Sequence, residues 1–234
     1  MEKSLLLAGN DIPFPEAQLV IHNPIYKEIA LIGEEKFLIG VKTIIIDKND
    51  LFFKGKEGLA DKDNFDIFMS IVERKKEIKE SVLAVFSLFF IGYNIKFTEQ
   101  EIILFSKQNL CRINAMNFDF FQKSVSEICC LNDIQKIEGY NPADKRAAMI
   151  ADKLQKAKQR KNKDNQKQDK LYYGKIVSIL SIGLSIDLNV ITHYTIYQLL
   201  TSYQRYQKKI IFDRDFQARM AGATNLDEVE NWME

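Results

Sequence analysis

The side chains that most often carry catalysis or bind metals are scarce in this chain of 234 residues. There are two histidines, His22 and His193, and three cysteines, Cys111, Cys129 and Cys130. Neither histidine stands at ligand spacing from a cysteine or a carboxylate, so the sequence favours structural or surface roles for both and predicts no metal site. The cysteines form no spaced pair, which argues against a disulfide framework and favours a reducing compartment. The adjacent pair lies on an apolar helical stripe and is expected to fill the core.

The glycine-rich motifs that bind phosphates or position a nucleophile are missing from the sequence, which contains no GxxxxGK[ST], GxGxxG or GxSxG pattern. The sequence therefore predicts no catalytic residue and no cofactor. A binding protein is favoured over an enzyme. An enzyme with a dispersed site stays open at this stage, because carboxylates that converge in space cannot be seen in linear spacing.

Composition describes a globular protein with almost no net charge. Apolar residues make up 46% of the chain, and 33 basic residues face 32 acidic ones. A chain of this length forms one large domain or two small ones. The amino-terminal leucine run is shorter than a secretory signal requires, and no apolar stretch approaches the roughly 20 residues of a membrane span. The sequence thus predicts a cytoplasmic protein with no membrane partner.

One segment, from Lys153 to Lys170, carries a concentrated positive charge, with eight basic and two acidic residues. It could bind nucleic acid through its phosphates, or an acidic protein, as a flexible arm. It contains no aromatic side chain to stack on bases, so a solvated linker is the favoured interpretation. The residues that would form the electrostatic arm are Lys156, Lys158, Arg160, Lys161 and Lys163.

The C-terminal region is rich in tyrosine and holds the single tryptophan. Tyr197, Tyr203 and Tyr206 lie at spacings of six and three residues, on a stripe that winds slowly round the predicted helix, and Trp232 lies two residues from the end. Such a stripe could be part of the core. It could also be a partner surface, because tyrosine and tryptophan combine an apolar body with a polar tip. We take these four residues as the candidate partner-binding residues.

The elements that must position these residues are mostly helical. Asn23-Pro24 has the composition of a helix start, and Gly33 is expected to break or restart that helix. The apolar run 37–46 suits a strand or a buried helix, and a helix is favoured. One long helix is predicted from Asn64 through Phe86, where apolar residues follow the helical period.

A small β element is predicted in the middle of the chain, where YNIKF and IILF suggest a hairpin and Cys111-Arg112-Ile113 a third strand. Asn117 is expected to cap the next helix, and Asn141-Pro142 repeats the helix-start composition. The predicted fold is therefore mainly α with a small β element (α+β). The predicted division is an N-terminal α+β domain at 1–140, a helix running into the basic linker at 141–170, and a helical region at 171–234.

Three segments together resemble morphogenesis proteins of tailed phages and prophages. They are NPIYKEIALIGEEKFLIGVKTI, NPADKRAAMIADKLQKAKQR and TIYQLLTSYQRYQKKIIFDRDFQARMAGATNLDEVENWME. The nearest class is the tail assembly chaperones. That resemblance implies a non-enzymatic protein that binds the tape-measure protein and recruits tail-tube subunits in the host cytoplasm. Many such chaperones are shorter, which leaves open a virion-resident tail, neck or baseplate component. The oligomeric state also stays open.

Overall fold

The protein is described here from a computed structural model, which describes residues 3–48, 62–131 and 172–222. The predicted helix start at Asn141-Pro142, the basic segment Lys153 to Lys170 and Trp232 lie outside these ranges. The fold is mainly helical with two small antiparallel sheets, which confirms the predicted class. The helices are α1 (Lys3–Leu7), α2 (Tyr26–Ile32), α3 (Glu34–Ile44), α4 (Asn64–Arg74), α5 (Lys76–Phe89), α6 (Phe118–Ile128), α7 (Tyr172–Leu184), α8 (Leu188–Ile191) and α9 (Ile196–Met220).

Both sheets are built from short neighbouring strands. The predicted central element is a three-stranded meander, β3 (Asn94–Phe97), β4 (Ile102–Phe105) and β5 (Leu110–Ile113), in which Leu104 pairs with Ile95 and Cys111. A hairpin that the sequence analysis did not predict, β1 (Ile12–Phe14) and β2 (Leu19–Ile21), precedes α2. Its strands have three residues each, too few for an alternating pattern to stand out.

The core is one cluster of buried apolar side chains, drawn from α1 through α9. Phenylalanines dominate it, and their rings meet at 4.9–6.5 Å between centroids, the range in which aromatic pairs add to burial. The fully buried phenylalanines are Phe14, Phe37, Phe68, Phe86, Phe89, Phe90, Phe118 and Phe121. Residues on both sides of the gap between 131 and 172 therefore share this core.

The long helix predicted from Asn64 is wrong in its length. It is broken at Lys75, which has an extended backbone (φ −136°, ψ 119°), into α4 and α5. One straight helix over 64–89 would be about 39 Å long at 1.5 Å per residue, and part of it would leave the core. The break instead lets α4 and α5 pack on each other and both on α3.

Two predicted caps also differ from the structure. Asn23 does not cap α2, because Ile25 occupies the capping position and the helix begins at Tyr26. The chain at 23–25 is held extended by the start of α9, since Ile25 bridges Thr195 and the Pro24 carbonyl accepts the Ile196 N–H at 2.9 Å. Asn117 does precede α6, but its side chain binds the backbone of Asn114 and Arg112 instead of the helix.

Gly33 separates α2 from α3, as predicted, and its φ of +92° suits glycine alone. The next residue, Glu34, begins α3 and is only 5% exposed. Its carboxylate accepts the backbone N–H groups of Tyr173 at 2.8 Å and Gly174 at 2.9 Å, in the first turn of α7. Glu34 therefore lies at the amino-terminal ends of two helices, where the unpaired N–H groups and the helix dipoles favour a negative charge.

A phenol completes the surroundings of this carboxylate. The hydroxyl of Tyr26, on α2, donates to Glu34 Oε1 at 3.0 Å. Burial, followed by this hydrogen bond, raises the pKa of Tyr26 to about 12. Burial also raises the pKa of Tyr173, which packs edge-on against Phe37. Three helices, α2, α3 and α7, thus meet at one buried carboxylate.

We expect Glu34→Ala to destabilise the fold by about 2–4 kcal/mol, because three donors lose a charged acceptor and two of them are backbone amides. Glu35→Ala is the matched control, since Glu35 lies in the same first turn of α3 but is exposed. It should change stability by at most about 0.5 kcal/mol. Urea unfolding gives both values, and equal losses in the two variants would contradict this role of Glu34.

Gly40→Ala tests the contact of α3 with α5. A Cβ at Gly40 would lie 2.5 Å from Cγ2 of Val85 and 2.7 Å from the carbonyl oxygen of Ser81. Alanine is the better helix former by about 0.5–1 kcal/mol, yet we expect a net loss of about 1–3 kcal/mol from overpacking. The exposed Lys36→Ala on the same helix is the control. A Gly40→Ala protein more stable than wild type in thermal unfolding would rule out the close approach.

Candidate functional site

The structure gives His22 two partners that linear spacing did not indicate. Its Nδ1 lies 2.9 Å from Asp11 Oδ1 and its Nε2 lies 3.0 Å from Glu28 Oε2. The same two oxygens accept the backbone N–H groups of Asn23 and Ile25. Linear spacing could not indicate the Asp11 contact, because the fold of the β1–β2 hairpin brings Asp11 against His22. His22 connects the hairpin to α2.

A cavity of about 530 Å³ opens beside this histidine, and its size is within the range of ligand sites. Both ring nitrogens of His22 already contact carboxylates, those of Asp11 and Glu28. Among the described residues, no group of three or more histidine, cysteine or acidic side chains is placed to hold a metal ion. The cavity is lined by Asp11, Gln18, Leu19, Val20, His22, Phe89, Ile91, Tyr93 and Asn109.

The other side chains with reactive chemistry lie in structural positions. Cys111, Cys129 and Cys130 are buried, which agrees with the prediction of core filling for the adjacent pair. Burial, with a smaller contribution from Cys130, raises the pKa of Cys129. His193, at the surface, bonds through Nδ1 to the Asn189 carbonyl at 2.6 Å. None of these residues combines access with an activating neighbour.

The exposed apolar side chains concentrate in the C-terminal part of the described chain. Residues 172–222 hold ten of the nineteen large apolar residues that are exposed, although they make up fewer than a third of the described residues. Scattered apolar residues are normal on a protein surface, whereas a concentration of them marks an interaction site. This region is therefore the strongest candidate for a functional surface.

Helix α7 contributes apolar residues on more than one face. Its buried face packs Tyr173, Ile176, Val177 and Leu180 in the core. No charged residue occurs between Lys175 and Asp187, and Ile182 is 83% exposed. A helix that is apolar on nearly all sides is normally covered on all sides. Within the described part of the chain, the outer face of α7 is not covered.

The start of α9 is anchored to the rest of the fold. Thr195 and Gln198 form a reciprocal capping box, in which Gln198 N donates to the Thr195 hydroxyl at 3.3 Å and Thr195 N donates to Gln198 Oε1 at 2.9 Å. The amide of Gln198 also donates to the Leu7 carbonyl of α1 at 2.8 Å. These bonds fix the direction in which the helix leaves the core.

Beyond Leu200, no residue of α9 is fully buried. The helix has 25 residues, which corresponds to about 37 Å, and the 20 residues after Leu200 lie along or beyond the edge of the core. Most of the stability of a helix in a protein comes from packing against the rest of the fold. The distal part of α9 is therefore a segment that gains from being covered.

The three tyrosines predicted to contact a partner fall into two groups. Tyr197 is 7% exposed and belongs to the core, so its assignment to the partner surface is corrected, because it lies in the first turn of α9 where the helix still faces the body. Tyr203 and Tyr206 are half-buried at the rim of the core. Their position leaves part of each ring accessible. Trp232 and the arm residues Lys156, Lys158, Arg160, Lys161 and Lys163 lie outside the described residues.

Tyr206 packs directly over Gly183 of α7, where any Cβ would overlap the phenol ring. Ile182 and Leu184 flank this contact in the chain, and Tyr203 and Ile210 lie on the same face of α9 as Tyr206. We call this set the α7–α9 surface: Ile182, Leu184, Tyr203, Tyr206 and Ile210. Burial raises the pKa of Tyr172, and the nearby Tyr203 of α9 raises it further. The surface thus joins exposed aliphatic residues to aromatic rings with polar tips.

The contact of Gly183 with Tyr206 predicts that the effect of Gly183→Ala on stability changes sign when the Tyr206 ring is removed. Gly183→Ala should be neutral or destabilising in the wild-type protein, because the phenol ring must move. In a Tyr206→Ala background it should stabilise by about 0.5–1 kcal/mol, as alanine does in an open helix. The exposed Ser178→Ala on α7 is the control and should act equally in both backgrounds. Additive effects in urea unfolding would disprove the contact.

Comparison with known proteins gives one match over part of the chain. A protein-family model described as the YomV second domain matches residues 161–234, and no curated protein and no solved structure matches. Among the described residues, no helix is both long and apolar enough to cross a membrane. The matched range contains the whole α7–α9 surface. This similarity indicates a phage or prophage protein.

Proposed function

We propose that this protein is a non-enzymatic tail assembly protein of the chaperone type, and that it binds a helical segment of a tape-measure or tail-tube protein through the α7–α9 surface. The observation that carries the proposal is the concentration of exposed apolar residues on α7 and α9. The resemblance to tail assembly proteins supplies the class of partner. The match to the YomV second domain adds support for phage origin and none for a particular partner.

The arrangement suits the binding of an amphipathic helix. Where α7 and α9 meet at Gly183 and Tyr206, the two helices present exposed aliphatic residues beside tyrosine rings, and a partner helix could lay its apolar face against them. Tyrosine gives contact area at a low entropy cost and keeps its hydroxyl in water before binding. The basic segment between Lys153 and Lys170 would add electrostatic capture of an acidic partner, which raises the rate of association more than the affinity.

Paired substitutions on the α7–α9 surface test this function. We expect Ile182→Glu with Ile210→Glu, and separately Tyr203→Ala with Tyr206→Ala, to weaken binding to the tape-measure or tail-tube protein of the same phage by at least about tenfold. Loss of two buried contacts is worth about 2 kcal/mol or more at an interface. Co-purification of co-expressed proteins, followed by titration calorimetry, measures the effect.

Leu31→Glu is the matched control, because Leu31 is as exposed as Ile182 but lies on α2. It should leave binding unchanged. If both paired variants bound as well as wild type, the site would be wrong. If the wild-type protein bound neither tail protein, the partner class would be wrong. Retention on DNA that falls steeply with salt and is lost when 153–170 are deleted would favour the nucleic-acid alternative instead.

A further inference from the structure

The distal part of α9 carries an exposed basic face. At about 100° per residue, Arg205 and Arg219 lie about 20° from Phe212 around the helix, and Lys208 and Phe216 lie about 40° from it. From 205 to 220, no other residue lies as close to that line, and the four residues around Phe212 are all exposed. We call this set the α9 basic face: Arg205, Lys208, Phe212, Phe216 and Arg219. It combines basic and aromatic side chains and contains no acidic one.

The positive charge of distal α9 is concentrated on this face. From 205 to 220 there are five basic and two acidic residues, which gives a net charge of +3. The two acidic residues pair with the two basic residues outside the face. Lys209 Nζ lies 2.8 Å from Asp213 Oδ2, and Arg214 Nη2 lies 2.8 Å from Asp215 Oδ1. The charge of +3 therefore belongs to the α9 basic face itself.

Aromatic rings lie between the charges of this face. The rings of Phe212 and Phe216 are stacked, with 6.3 Å between centroids and 6° between planes, and Phe216 is 54% exposed. Arg205 and Arg219 stand seven residues before and after Phe212, which is about 10 Å along the helix in each direction. Cations that contact phosphates and aromatic rings that stack on bases are the two components of a single-strand binding surface.

We propose that the α9 basic face binds single-stranded nucleic acid, with phosphates at its three basic side chains and a base stacked on the exposed ring of Phe216. The face is about 21 Å long from Arg205 to Arg219, which is long enough to follow several consecutive phosphates. Binding of this kind tolerates many sequences, because every base has a flat face and every nucleotide a phosphate. This activity is additional to the proposed binding of a tail protein.

Two other anionic partners fit this face less well. A helix that lies in an anionic membrane surface buries a broad apolar side, whereas here the basic residues lie within 20–40° of Phe212. An acidic protein segment would need the charges alone, so a requirement for the aromatic rings separates it from a nucleic acid. The face borders the α7–α9 surface, since Phe216 lies about 80° from Tyr206.

Fluorescence anisotropy of a labelled oligothymidylate, titrated with the full-length protein at several salt concentrations, tests the charges. Arg205→Gln with Lys208→Gln should weaken binding and reduce the slope of log K against log salt by about 1.4, or about 0.7 for each lost phosphate contact. Lys76→Gln with Lys79→Gln is the matched control, because it removes two exposed basic residues at the same spacing from α5. It should leave the slope unchanged.

Phe212→Leu with Phe216→Leu tests the stacking, because leucine keeps the helix apolar there but has no flat face. Its affinity for the oligonucleotide should fall by about fivefold or more, with the salt slope unchanged. Ile211→Ala, also exposed on distal α9 but about 100° from Phe212, is the control and should bind as wild type does. Circular dichroism should show wild-type helix content in all variants.

The oligonucleotide annealed to its complement should bind more weakly than the single strand, because paired bases offer no free face. No binding at low salt, equal slopes in the two charge variants, or wild-type affinity in the phenylalanine variant would overturn the proposal. Binding of the tape-measure or tail-tube protein is measured separately on the same variants. The variant with Arg205→Gln and Lys208→Gln should retain it, so either binding activity can fail without the other.

Discussion

The buried carboxylate of Glu34 is the contact on which the C-terminal half of the structure depends. It accepts two backbone N–H groups at the start of α7 while lying at the start of α3, so one side chain satisfies donors of two helices that are far apart in the chain. A carboxylate can remain buried only if its oxygens are hydrogen-bonded, and the Tyr26 hydroxyl completes that set. Because this contact fixes where α7 begins, it also fixes where Gly183 lies. Gly183 in turn decides how closely α9 approaches and how much of Tyr206 stays accessible.

A second set of bonds fixes the other end of the surface. Thr195 pairs with Ile25 and caps α9, and Gln198 binds α1, so the beginning of the long helix is connected to the amino-terminal part of the chain. In the distal part, the described ion pairs join neighbouring residues of the helix itself, Lys209 to Asp213 and Arg214 to Asp215. Local unfolding begins where buried contacts are few. The first turns of the helix are therefore fixed to the core, whereas the distal segment is stabilised when another molecule covers it. This arrangement suits a binding element better than a segment with a purely structural role.

Local patterns predicted much of this fold, and long-range contacts account for what they missed. The three-stranded sheet, the start of α4 at Asn64 and the break at Gly33 follow from periodicity and turn residues within a few positions. The break at Lys75 could not be seen, because it is imposed by packing on α3. The partners of His22 and the role of Glu34 bring together residues that the sequence separates. Tyr197 and Tyr203 lie six residues apart, which is about 120° around the helix, and the sequence alone shows neither which side of the helix faces the core nor where along the helix the core ends.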